Sequence, residues 1–122
     1  TIVEDSARWA TYDNMLYALT KQVDVYASNR FYDKAVSLIP RCQALLDYLK
    51  KSDSATIGLN DIREAELMAA CSKAYYGAGE TKKAEKCYEK LRLKKYGNTD
   101  HGIALAVPYL VNSGQYAEAL LL

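Results

Sequence analysis

Residues 65–98 read AELMAACSKAYYGAGETKKAEKCYEKLRLKKYGN, and their pattern decides the fold. Two amphipathic runs flank a turn holding Gly77 and Gly79. Met68, Cys71, Ser72 and Tyr75 recur at helical intervals in the first run, and Ala84, Tyr88 and Leu91 do so in the second. The small residues Ser72 and Ala84 let two antiparallel helices approach closely, with Ala84 facing the first helix. Tyr75, Tyr88 and Leu91 are large enough to fill the space between this pair and the next. Gly77 and Gly79 supply the backbone freedom for a left-handed residue that ends the first helix. Thr81 is then placed to cap the second. One such pair cannot bury its own faces, so neighbours on both sides are implied.

Counted from Ala65, Met68, Cys71, Ser72, Tyr75 and Gly79 are residues 4, 7, 8, 11 and 15, and Ala84, Tyr88 and Leu91 are residues 20, 24 and 27. At these offsets the stretch resembles the tetratricopeptide repeat (TPR), a helical hairpin with a period of about 34 residues. Tyr96 stands where that family usually has a closing Pro. The resemblance implies an all-α, right-handed superhelix of stacked hairpins. It also implies a protein–protein interaction scaffold, in which the first helix of each repeat lines a concave groove for a peptide or partner segment.

Upstream, Trp9, Tyr12, Leu16, Leu19, Val23 and Tyr26 form a sustained stripe, so a helix is expected over about 5–28. The stripe reads as core packing and not as an aromatic ligand box. Asn29 and Arg30 make the turn. A second helix starts near Phe31 or Tyr32, with Tyr32, Ala35, Leu38, Ile39, Cys42, Leu45, Leu46 and Leu49 on its apolar side. Pro40 lies inside this pattern and removes one helical hydrogen bond. Apolar positions on both sides of it predict a kink, with the helix continuing to about Lys51.

Residues 52–60 are expected to form a loop in which Ile57 and Leu59 fold back over apolar surface, with a binding loop as the alternative reading. Asn60 or Asp61 would cap the next helix, and Asp61 with Glu64 has the spacing of a capping box. Tyr32 and Thr81, the two starts of second helices, are 49 residues apart, whereas Thr81 and Tyr116 are 35 apart. The first repeat therefore carries the insertion. After the central repeat, Thr99 or Asp100 caps a fifth helix with the face Ile103, Ala106, Val107, Leu110 and Val111, and Pro108 predicts a kink or delayed start. Gly114, Tyr116 and Ala119 repeat the positions of Gly79, Thr81 and Ala84. The expected single domain thus has repeat 1 over about 5–51, a loop over 52–60, repeat 2 over about 61–98 and a partial repeat 3 over about 99–122.

Composition agrees with a globular helical chain. Of its 122 residues 50% are apolar, and the net charge is +1, which excludes a disordered or nucleic-acid-coating protein. Eleven tyrosines against one Phe suit helical repeats, where Tyr gives its ring to the core and its hydroxyl to the edge. No apolar run nears the ~18 residues of a membrane span, so no membrane contact is expected. The chain starts and stops inside helical patterns and is expected to be a segment of a longer protein. Its compartment, cytoplasmic or periplasmic, is not written in it.

Chemistry has little support. Cys42, Cys71 and Cys87 lie on apolar helical faces outside any metal-ligand spacing and read as buried reduced thiols. Cys71 and Cys87 stand on paired helices of one repeat, which leaves a bond between them as the alternative. His101, the only histidine, has no nucleophile motif around it and reads as solvent-facing or groove-rim. Gly77–Gly79 lacks the strand and Lys-Ser/Thr of a phosphate loop. No enzyme activity, cofactor, metal or small-molecule substrate is expected. Residues 81–96 carry a net charge of +5. A second helix normally faces solvent, and cations near its C-terminus suit its dipole, so this reads as an outer face and not as a nucleic-acid site.

The resemblance places Glu66, Ala69, Ala70, Lys73, Tyr76 and Gly77 toward the groove, with Asp24 from the first repeat and His101 and Asn112 from the third. Lys73 and Tyr76 are the expected contact makers, while Ala69, Ala70 and Gly77 leave room for a ligand. Thr20, Asp24, Ala70, Lys73, His101 and Leu105 occupy the places of the family's carboxylate clamp without reproducing its residues, so chaperone-tail binding is not expected. Two other readings are a TPR sensory or regulatory segment of a bacterial signalling protein, such as a histidine kinase or transcription regulator, and a structural spacer that supports self-association.

Overall fold

The computed structural model describes residues 2–52, 57–93 and 95–122, and the side chains of 7–51, 60–93 and 96–122 among them. These residues form six α-helices: α1 (Ile2–Ser28), α2 (Tyr32–Ser52), α3 (Ile57–Gly77), α4 (Thr81–Leu93), α5 (Asp100–Asn112) and α6 (Tyr116–Leu121). A short 3-10 turn, Lys95–Asn98, joins α4 to α5. No strand occurs among the described residues.

Three turns with one hydrogen-bond pattern divide the chain into hairpins. The N–H groups of Phe31, Glu80 and Gln115 donate to the carbonyls of Tyr26, Tyr75 and Leu110 at 2.8, 2.9 and 2.8 Å. The residue before each donor is left-handed: Arg30 at φ 65°, Gly79 at 86° and Gly114 at 79°. Such a turn satisfies carbonyls that the helix end leaves without donors. Four residues beyond the donor, Ala35, Ala84 and Ala119 open the next helix by donating to Phe31, Glu80 and Gln115. Glycine holds the left-handed position twice. Arg30 holds it at a steric cost of roughly 1 kcal/mol.

The expected stripes line the core, that of α1 less deeply than expected: Leu16 and Val23 are buried, whereas Trp9, Tyr12, Leu19 and Tyr26 are half-buried against it. Leu16, Val23 and Ala27 of α1 meet Ala35, Ile39, Cys42, Leu46 and Leu49 of α2 in one core with Leu67, Cys71, Ala74, Ala84 and Leu91. α2 runs through Pro40 and α5 through Pro108. Both prolines are exposed, so the apolar positions around them remain packed and hold each helix together. Thr99 caps α5, its side chain accepting from the Gly102 N–H at 3.1 Å.

Several expectations need correction. α3 begins at Ile57, so residues 57–60 are helix and not loop; the side chains of Ile57 and Leu59, and all of 53–56, lie outside the described residues. Asn60 is no cap: it is buried inside α3 and donates from Nδ2 to the Leu49 carbonyl at 3.3 Å. Glu64 closes no capping box, because its carboxylate pairs with Lys50 of α2. These two contacts hold the start of α3 against the end of α2, and tertiary bonding overrides the local loop signals. Thr81 is the first helical residue, one place past the Glu80 carbonyl that opens α4. On α5 the buried side is Gly102, Ala106, Tyr109 and Leu110, while Val111 is 43% exposed.

α3 packs against α1 and α2 before it and α5 after it. Cross-contacts show that α1, α3 and α5 run in one direction. Arg63 bonds Asp13 and, further along both helices, Lys73 bonds Asp24. Glu66 shares a pocket with Leu105, and further along Tyr76 meets Tyr109. Ala84, fully buried, sits in the close α3–α4 hairpin. Ala84→Leu is expected to lower stability by roughly 1–3 kcal/mol through overpacking, read as a fall in the urea midpoint. An unchanged midpoint would remove Ala84 from that contact.

Candidate functional site

One surface is built by α1, α3 and α5 together. Its centre is a shallow pocket of about 80 Å³ lined by Tyr17, Thr20, Lys21, Asp24, Glu66, Ala69, Ala70 and Leu105. The floor is Ala69 and Ala70, where short side chains keep the backbone of α3 near the surface. The rim is charged and aromatic.

Most charges around the pocket are engaged with one another, while Lys21 lies over the Tyr17 ring at 5.4 Å. Arg63 holds Asp13 with two hydrogen bonds, Nε to Oδ1 at 2.8 Å and Nη2 to Oδ2 at 3.1 Å. Its Nη1 reaches Glu66 Oε1 at 2.8 Å, and its guanidinium lies 4.8 Å from the centre of the Tyr17 ring. Asp13 is buried, so this fork neutralises a carboxylate that the core could not otherwise hold. The same bonds to Asp13 raise the Arg63 pKa, which keeps the guanidinium charged throughout. Lys73 donates to Asp24 Oδ1 at 3.0 Å and to Ser28 Oγ at 2.8 Å. Two ties thus join the first hairpin to the second across this surface.

The structure brings Asp24, Glu66 and Lys73 together here, and puts Tyr76 beside Tyr109 with ring centres 6.1 Å apart. His101 and Asn112 are exposed near opposite ends of α5, separated by about 16 Å of helix. His101 does not stand alone: its Nδ1 hydrogen-bonds the Tyr96 hydroxyl. Partial burial, with the Glu66 carboxylate nearby, pushes the Tyr96 phenol above its ordinary range, so it stays neutral. Gly77 leaves no room for a ligand, because a Cβ there would meet the Tyr32 ring at 2.0 Å.

Sequence reasoning missed Asp13, Tyr17, Arg63 and Tyr96. A signal existed for the first: Asp13, Leu16, Thr20, Val23 and Ala27 form the buried line of α1, and a carboxylate on such a line requires a cationic partner.

The lysines of α4 lie on the side opposite Ala84, Tyr88 and Leu91, which are its buried residues. Lys83 pairs with Glu80 at 3.3 Å and reaches over the Tyr75 ring. Among the described residues no group of three or more His, Cys, Asp or Glu side chains is placed to hold a metal ion. Among them, too, no helix is long and apolar enough to cross a membrane. Compared with family models, curated proteins and solved structures, the chain matches none.

Proposed function

We propose that this chain is a protein-interaction module of the tetratricopeptide kind, which takes an extended segment of a partner across α1, α3 and α5. The observation that carries this reading is the shared pocket: three parallel helices from successive hairpins each contribute to one surface with a small-residue floor. At about 80 Å³ the pocket is far below the ~300–1,000 Å³ of small-molecule sites, and suits the tip of one side chain. Arg63, Lys73, Asp24 and Glu66 already answer one another. The segment is therefore anchored by an apolar or aromatic side chain over Ala69, Ala70 and Leu105, not by a clamped terminal carboxylate. Tyr17 lines the pocket beside that floor and Tyr76 lies further along α3 against Tyr109; both are rigid rings with polar tips, a residue type enriched in binding hot spots.

The test is a peptide selected from a random phage-displayed library against the folded chain, with binding followed by fluorescence anisotropy. Tyr76→Ala and Lys73→Ala are each expected to weaken binding by at least ~1 kcal/mol. The Lys73 variant also loses the half-exposed tie to Asp24, for which a stability loss of no more than ~1 kcal/mol is expected. Unchanged binding by both variants, with loss on replacing Lys82, Lys86 and Lys90, would move the site to the outer face of α4.

A further inference from the structure

The three left-handed turn residues, Arg30, Gly79 and Gly114, set a common register for the hairpins. Residues 84 places apart are therefore equivalent in the first and the third. On the first hairpin, Thr20, Val23, Asp24, Ala27, Tyr32 and Val36 form the side that the second hairpin covers. Thr20, Val23 and Ala27 are at most 5% exposed there. Asp24 bonds Lys73, and the Tyr32 ring lies against Gly77. The second hairpin meets the third in the same sense, through the rings of Tyr76 and Tyr109. On the third hairpin the equivalent residues are Ala104, Val107, Pro108, Val111, Tyr116 and Leu120. Here the side is open. Ala104, Pro108 and Val111 are exposed, Tyr116 is 62% exposed and Leu120 is 87% exposed.

None of these six residues is charged, and Tyr116 alone has a polar side chain. A helix face turned to water normally carries polar and charged residues, as α4 does with the exposed Lys82, Lys86 and Lys90. The composition of the open side is that of an interface core instead, where charge is depleted and aromatic rings are enriched. The surface area agrees. A monomer of 13.6 kDa is expected to expose about 6,600 Å², whereas this chain exposes 7406 Å². The difference, about 800 Å², is what each partner brings to a standard interface.

We propose that this side of α5 and α6 receives a second copy of the chain, the two copies meeting about a two-fold axis with the same residues on both sides. A face without charge meets its own copy with no like-charge repulsion across the axis, and such contact closes at two. The open side of α1 is a poorer match. It exposes Lys21 and Gln22 beside Val25, and laying these on α5 would strip water from an ammonium with no carboxylate to receive it. The pair then presents two copies of the α1, α3 and α5 surface in one particle.

Sedimentation velocity of the whole chain over a concentration series tests the pairing. The expected result is a species of twice 13.6 kDa at the highest concentrations, which dissociates to the monomer on dilution. Val111→Glu and Leu120→Glu each place a carboxylate on both copies of the face, and each is expected to weaken pairing by more than about tenfold. Both side chains are exposed in the monomer, so the helical circular-dichroism signal and the urea midpoint should not change. Val25→Glu on α1 is expected to leave pairing as it was. A chain that stays at 13.6 kDa up to millimolar concentration would overturn the proposal, as would pairing that survives both Val111→Glu and Leu120→Glu. Oligomers larger than two that Val25→Glu abolishes would also overturn it, in favour of head-to-tail stacking. No peptide ligand enters these readouts, so their failure is separable from failure of the groove reading.

Discussion

Arg63→Ala is expected to destabilise the fold by about 3 kcal/mol, because it leaves the Asp13 carboxylate buried without its cation. The side chains of Arg63 and Asp13 are 17% and 8% exposed, so bulk water does little to replace the fork. At this chain length the loss corresponds to a fall in thermal midpoint of roughly 10 °C. The same substitution removes the cation from the Tyr17 ring and the partner of Glu66. A second variant separates the worth of the pair from the cost of orphaning one member. Arg63→Met combined with Asp13→Leu removes both charges and leaves apolar volume, and is expected to recover most of the stability. If Arg63→Ala melts within a degree or two of the parent, the fork does not hold the first two hairpins together.

Gly102→Ala is expected to be among the most damaging Gly→Ala changes at the described glycines. Within a helix, Ala is favoured over Gly by about 1 kcal/mol, so propensity alone predicts a gain. Packing reverses the sign. A Cβ on Gly102 would stand 2.1 Å from the Tyr96 carbonyl oxygen and 2.8 Å from the Gly97 Cα. Both are backbone atoms of the 3-10 turn, so no side chain can swing aside, and the start of α5 must part from the turn. The expected cost is about 3 kcal/mol, at the upper end of overpacking effects. Gly114→Ala is the control. Its φ of 79° carries conformational strain, yet nothing lies within 4 Å of the added atom, so its cost should stay near 1 kcal/mol. Equal effects of the two substitutions would show that backbone approach at Gly102 is not the constraint.

The hairpins were legible in the sequence because their determinants are local. Gly79 and Gly114 mark left-handed turns, and Ala84 marks a close contact five residues beyond the first. Arg30 gave no such mark at the equivalent position, since nothing in its chemistry favours positive φ. The beginning of α3 was misread for a different reason. Ser, Asp and Gly in 52–60 carry loop propensity, but Asn60 bonded to Leu49 and Glu64 paired with Lys50 tie this part of α3 to α2 through tertiary contacts that no local signal shows. On α5, hydropathy favoured Val111 over Tyr109. The ring contacts of Tyr109 with Tyr76 and Tyr88, at 6.1 and 4.9 Å, turn the helix the other way. The candidate surface was legible only in outline. Its helices and its small floor residues followed from the repeat, whereas the ties among Asp13, Arg63, Asp24 and Lys73 join residues about 50 positions apart. No local pattern encodes such pairs.

The central claim is that one face, made by α1, α3 and α5, receives the partner segment. Amide chemical-shift mapping of the labelled chain, titrated with the library-selected peptide, tests it most directly. Shifts are expected to concentrate on Tyr17, Thr20, Ala69, Ala70, Lys73, Tyr76 and Leu105, with α4 largely unmoved. Shifts confined to Lys82, Lys86 and Lys90, with the floor residues unchanged, would contradict it.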